Sequence, residues 1–199
     1  MNIREFSFNL QKVYEEMTGA FSELQAASGL ACIQGCGKCC QNPEVEASVL
    51  EMIPFALKIY DEGKFDEWIE RLTTTGLDHC LLFEAHGSSG GGRCSSYAHR
   101  PSVCRMFGVA GYFNKHHQVV LSVCKFIKEN NPQNSSSWEE PPSNSIPIIS
   151  TWSTRLSALD PDLCSKKLPI NQAILQAMQR VGLYAQYEAS NKCEHISFN

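Results

Sequence analysis

Four cysteines fall within nine residues at Cys32–Cys40, in the order C-I-Q-G-C-G-K-C-C, and no other stretch constrains the fold as strongly. A buried thiol packs as a small hydrophobe, which any small apolar residue can do, so packing does not explain this density. Thiolates this close together call for a metal. Cys32, Cys36 and Cys39 follow C-x3-C-x2-C, and Gly35 and Gly37 let the backbone turn tightly and aim N–H groups at sulfur. Soft thiolates select zinc, copper(I) or iron–sulfur clusters over magnesium or calcium. A tetrahedral zinc or an iron–sulfur cluster takes four ligands, and this loop supplies three. Cys40, adjacent to Cys39, is left for a second metal, a bridging position or the core.

At 199 residues the chain suits one domain, or one domain with an appendage, and 43% apolar content agrees with a globular protein. A net charge of -4 from 17 basic and 21 acidic residues gives no basic excess, so nucleic acid is not an expected partner. The start, M-N-I-R-E-F-S-F-N-L, lacks the apolar run of a signal peptide, and no stretch reaches the ~20 apolar residues of a membrane span. The expected location is the cytoplasm, with no membrane partner. Reduced thiol pools there turn ten cysteines toward metal binding or redox chemistry; in a secreted chain disulfides would be the main rival.

Phe6, Leu10, Val13, Met17, Phe21 and Leu24 step by four and three, predicting a first helix that Gly29 ends. Asn42-Pro43 with Glu44 and Glu46 reads as the start of a second helix, which Pro54 should kink or divide. A third helix carries Phe65, Trp68, Ile69 and Leu72, with Gly76 as terminator. Shorter elements follow. Cys80–Phe83 and Val119–Val123 read as strands, G-S-S-G-G-G at 87–92 as a flexible loop, and Arg100–Phe107 as a helical turn or two. Residues 130–147, rich in Asn, Ser and Pro, read as a linker or long loop. Ile149–Leu159 and Ile170–Tyr184 are expected helices, and the last ten residues a frayed tail. The expected fold class is mainly α with a few short β-strands (α+β). The expected organisation is a cysteine-cluster metal-binding domain at 1–129, the linker at 130–147 and a helical appendage at 148–199.

The remaining ligands are expected from the second cysteine region. The run R-C-S-S-Y-A-H-R-P-S-V-C-R from Arg93 to Arg105 brings Cys94 and Cys104 together with Tyr97, Arg100 and Arg105. Several thiolates carry excess negative charge even with a metal, so nearby guanidinium groups would lower the cost of burying them. The competing reading gives these arginines to carboxylates or carbonyl caps.

The order C-x3-C-x2-C-C, then Cys80, then Cys94-x2-Tyr97-x2-Arg100-Pro101-x2-Cys104-Arg105, then Cys124, resembles the YkgJ-like cysteine-cluster family of zinc- or iron-chelating domains. The match spans roughly residues 30–126. The resemblance implies metal chelation, with ligands at Cys32, Cys36, Cys39, Cys40, Cys80, Cys94, Cys104 and Cys124, and implies no settled reaction. Some flagellin lysine methylases, for which an iron–sulfur cluster is proposed to take part in methyl transfer, are similar in this region, although nothing in the chain identifies a methyl-donor site. The loop also resembles the radical S-adenosylmethionine signature. Lys38 stands where that family has an aromatic residue, and the alternating strand–helix units of a barrel are missing.

Cys164 and Cys193 lie beyond the linker without ligand-spaced company, as a helix-adjacent core or surface thiol and a tail thiol. His79 and His99 flank cysteine positions but read first as hydrogen-bonded loop residues, and His116-His117 as a turn. Three cysteines in one glycine-lined loop with distant partners suit an iron–sulfur cluster better than zinc, whose sites more often appear as two C-x2-C pairs. The expected function is therefore metal binding, of an iron–sulfur cluster or zinc, through clustered thiolates. The alternatives are an iron–sulfur enzyme in methyl-transfer or redox chemistry and a metal carrier or store, and enzyme activity stays open.

Overall fold

The computed structural model of the chain describes residues 2–74, 78–86, 90–132 and 146–196, with side chains described through Asn191. It is mainly helical, with three small two-stranded antiparallel sheets, as the sequence pattern leads one to expect. Helix α1 (Ile3–Ser28) is capped by Asn2, whose side chain accepts from the N–H groups of Arg4 and Glu5, and ends at Gly29 with a left-handed φ of 67°. Its predicted stripe from Phe6 to Leu24 is buried throughout.

The second helix starts later than expected. Asn42 accepts from the N–H of Glu44 (3.0 Å), closing a local turn instead of capping a helix. After strand β1 (Glu46–Ser48), α2 (Val49–Asp61) opens on a capping box formed by Ser48 and Glu51. Pro54 lies inside α2 without dividing it. Leu50, Met52, Ile53, Phe55, Ala56, Leu57 and Ile59 are all buried, so α2 is surrounded on most sides, as an apolar helix must be. Each large side chain here contributes roughly 1.5–3 kcal/mol of burial. Helix α3 (Phe65–Thr74) packs Trp68 edge-on against Phe55, ring centroids 5.0 Å apart. Its expected terminator, Gly76, lies outside the described residues.

Cys80–Phe83 is not a strand. Cys80 leads into a turn, closed by the Phe83 N–H donating to the Cys80 carbonyl (2.9 Å), and strand β2 (Phe83–His86) begins only there. It pairs with β3 (Gly91–Cys94), so the last glycines of the expected loop belong to a hairpin, while residues 87–89 lie outside the described residues. A 3-10 turn (Tyr97–His99) and the short helix α4 (Ser102–Met106) follow, then the β4 (Val109–Phe113) and β5 (Val119–Val123) hairpin and α5 (Lys125–Asn130). His116 and His117 sit in the β4–β5 turn, His117 with φ of 58°. Most of the expected 130–147 linker lies outside the described residues.

Beyond it come α6 (Ile149–Ser157), α7 (Pro161–Ser165), strand β6 (Lys167–Pro169) and α8 (Ile170–Ile196), which extends through much of the expected frayed tail. Strand β6 pairs with β1, setting Ala47 opposite Leu168. Ala173, Ile174, Ala177, Met178 and Val181 of α8 share one buried cluster with α1, α2 and α3. A smaller cluster of Leu24, Leu30, Val109 and Ile127 joins the end of α1 to β4 and α5. Among the described residues no helix is long and apolar enough to cross a membrane.

Candidate metal centre

The loop from Leu30 to Val45 is fastened to the rest of the fold by its backbone. The Gly35 carbonyl accepts from the Gly92 N–H (2.8 Å), the Cys40 carbonyl from the Cys80 N–H (3.0 Å), and the Val45 carbonyl from the Ile170 N–H (2.9 Å). The first bond brings the loop against β3 two residues before Cys94, and it demands close approach. Gly37 has φ of 60°, and a Cβ there would lie 2.6 Å from the Phe83 ring; a Cβ at Gly92 would collide with Phe83 and the Glu84 carbonyl. Small residues at both faces let loop and hairpin meet.

This fastening closes a cavity of about 480 Å³ between the loop, the Cys80 turn, β3 and α4. Seven of the eight candidate cysteines line it: Cys32, Cys36, Cys39, Cys40, Cys80, Cys94 and Cys104. Cys124 does not. It follows β5, where its N–H donates to the Gly108 carbonyl (2.7 Å), and a Cβ at Gly108 would stand 3.9 Å from the Cys32 Cβ. All nine cysteines whose side chains are described are free thiols.

Tyr97, Arg100 and Arg105 also line the cavity. The Arg100 guanidinium lies 3.3 Å from the centre of the exposed Tyr97 ring and donates to the Tyr97 (3.2 Å) and Cys104 (3.3 Å) carbonyls. Arg105 donates to the carbonyls of Arg100 (2.9 Å) and Ala98 (2.5 Å) and to the Thr18 hydroxyl (2.9 Å), and stacks over Tyr14. Among the described residues neither arginine forms an ion pair with a carboxylate. Both positive charges therefore stand beside the thiols without a fixed counter-ion.

The thiols divide by environment. Adjacent Cys39 and Cys40 titrate as a pair: interaction with its neighbour, with help from the Arg100 charge, lowers Cys39 against the opposing effect of burial, and the same interaction together with burial holds Cys40 well above the usual thiol range. Burial pushes Cys80 up to about 12 and raises Cys32, Cys94 and Cys104. Such a set does not ionise together without a cation, and a metal supplies that charge as the protons leave. The donor chemistry fits a soft metal ion or cluster. Among the described residues no three Cys, His, Asp or Glu side chains are already arranged to hold a single ion, so the donors are gathered but not converged.

A family model described as "Putative zinc- or iron-chelating domain", CxxCxxCC, matches residues 31–133, more than half of the chain. The chain belongs to the CxxCxxCC family. No curated protein and no solved structure matches it. The CxxCxxCC match runs from the loop through β5 and α5, so all eight candidate cysteines fall inside it, while α6 to α8 lie outside.

The other candidate residues fall elsewhere. His79 bonds Asp78 (2.7 Å) and His99 meets the Ser96 hydroxyl (3.2 Å); neither lines the cavity. Cys164 is buried on α7, where the Ser157 hydroxyl donates to its sulfur (3.4 Å). The side chain of Cys193 lies outside the described ones. Sequence reasoning missed Glu51. Its buried carboxylate accepts from the Ser102 N–H (2.9 Å) and hydroxyl at the start of α4, from the Ser48 N–H and hydroxyl (2.8 Å each), and from Lys167 on β6 (2.6 Å). The signal was present as Ser48-x-x-Glu51, a capping-box pattern.

Proposed function

We propose that this chain is a cytoplasmic metal-binding protein that coordinates an iron–sulfur cluster, or zinc in its place, through the thiolates of Cys32, Cys36, Cys39, Cys40, Cys80, Cys94, Cys104 and Cys124. The observation that carries this reading is the gathering of seven of these thiols, from four separate segments, around one cavity. Arg100 and Arg105, which pair with no carboxylate among the described residues, support it, since a centre with more thiolates than metal charge is anionic. Arg100, Arg105 and Tyr97 surround the thiols as charge compensation and wall. Three donors in a single glycine-lined loop favour the cluster over zinc.

Anaerobic purification followed by elemental analysis and an ultraviolet–visible spectrum tests the reading. Iron with sulfide and broad visible absorption supports the cluster, and a colourless protein carrying zinc reassigns the metal. A chain free of both overturns the proposal. Cys32 is exposed at the cavity, which favours an accessible centre, as a carrier or an iron–sulfur enzyme in methyl-transfer or redox chemistry needs, over a sealed structural site. Rapid loss of metal to a competing chelator is expected of a carrier.

A further inference from the structure

Eight thiols are twice what one tetrahedral ion or one cluster takes, and the fold sorts them into two groups. Cys40, Cys80, Cys94 and Cys104 all pack against the main core of α1, α2 and α8. The Cys40–Cys80 backbone bond and the pairing of Cys94 with Phe83 hold three of these together. Cys124 packs instead against the smaller cluster of Leu24, Leu30, Val109 and Ile127, on the side where Gly108 meets the exposed Cys32. Along the loop, Cys36 and Cys39 lie between Cys32 and Cys40, and both line the same cavity as those two.

We propose that these thiols hold two adjacent metal centres, one inside the cavity and one at its edge toward Cys124. The outer draws on Cys32, Cys36 and Cys124, the inner on Cys40, Cys80, Cys94 and Cys104, and Cys39 is the thiolate between them. This inference depends on the metal-binding reading and adds its nuclearity. It also accounts for the Cys39–Cys40 pair. Neighbouring side chains do not readily converge on one ion, but they can face two. Arg100 lines the cavity among the thiols and donates to the Cys104 carbonyl (3.3 Å), so its charge stands beside them.

The test is native mass spectrometry of the full chain, stripped of metal anaerobically and loaded with Cd2+, counting ions retained against a competing chelator. Two ions are expected for the wild type, and one each for Cys124→Ser and Cys104→Ser, with circular dichroism confirming that both variants keep their helices. A wild-type count of one overturns the two-centre inference and leaves metal binding standing, whether or not the variants fold. So does loss of every ion from both variants, the behaviour of a single centre spanning the two groups. No retained Cd2+ in the wild type overturns the metal-binding reading itself.

Discussion

Glu51 and Ser102, 51 residues apart, are joined inside the protein: the fully buried Glu51 carboxylate accepts from both the N–H (2.9 Å) and the hydroxyl of Ser102. Ser102 opens the short helix that carries Cys104 and Arg105, and Glu51 lies in the first turn of the central helix α2. The same carboxylate holds Ser48 and Lys167. One side chain thereby ties a wall of the cysteine cavity to the core and to the β1–β6 sheet.

Removing that carboxylate leaves buried donors unpaired. Glu51→Ala is expected to cost about 3 kcal/mol, lowering the melting temperature by roughly 6–12 °C for a chain of this size. Glu51 also predicts a pH dependence. Burial alone would push its carboxyl up, but the Lys167 charge and the bonds from Lys167, Ser102 and Ser48 bring it below the ordinary carboxylate range. Its contribution is therefore present above the unfolded-state value of about 4.3 and is lost as pH falls through the lower folded-state value. Glu51→Gln should remove that part of the acid-side slope, read from denaturant melts between neutral and acid pH.

Gly37→Ala tests how the loop meets the hairpin. The substitution places a Cβ on a residue with φ of 60° and 2.6 Å from the Phe83 ring. The left-handed backbone alone costs about 1–2 kcal/mol, and the contact adds to it. Retention of metal against a chelator should fall together with the melting temperature.

The two cavity arginines should separate. Among the described residues Arg100 bonds only to carbonyls within its own segment and stacks on the exposed Tyr97, so Arg100→Ala should weaken metal retention with little change in melting. Arg105 reaches across to Thr18 and Tyr14 on α1 and should lose both, by about 1–3 kcal/mol in stability. Chelator competition and thermal melts on each variant distinguish these outcomes.

The helices were legible where one periodic face does all the packing, as from Phe6 to Leu24 and from Ile170 to Val181. Boundaries failed where a local side-chain bond competed with the helix. Asn42 spends its cap on a turn, and Ser48 provides the true one. The β1–β6 pairing was not legible, because three-residue strands more than a hundred residues apart carry too little alternation to announce themselves. At the site, the cysteine spacing marked the donors and the Arg93–Arg105 run its neighbours. It could not show that Gly92 and Phe83 determine how the loop seats, nor that Glu51 anchors α4, because these depend on contacts the chain order does not display.

Metal should also hold the fold together, because the free energy of binding at a site absent from the unfolded chain is folding free energy. Anaerobic treatment with a strong chelator is expected to lower the melting temperature markedly. An unchanged melt would place the metal, if any, outside the folded cavity.

The most direct test is metal content per chain in three anaerobically purified proteins: the wild type, Cys39→Ser in the cavity, and Cys164→Ser in the core. The account predicts a loaded wild type, a Cys164→Ser variant with the same content, and a Cys39→Ser variant with markedly less. A wild type without zinc or iron, or equal content in all three, would contradict it.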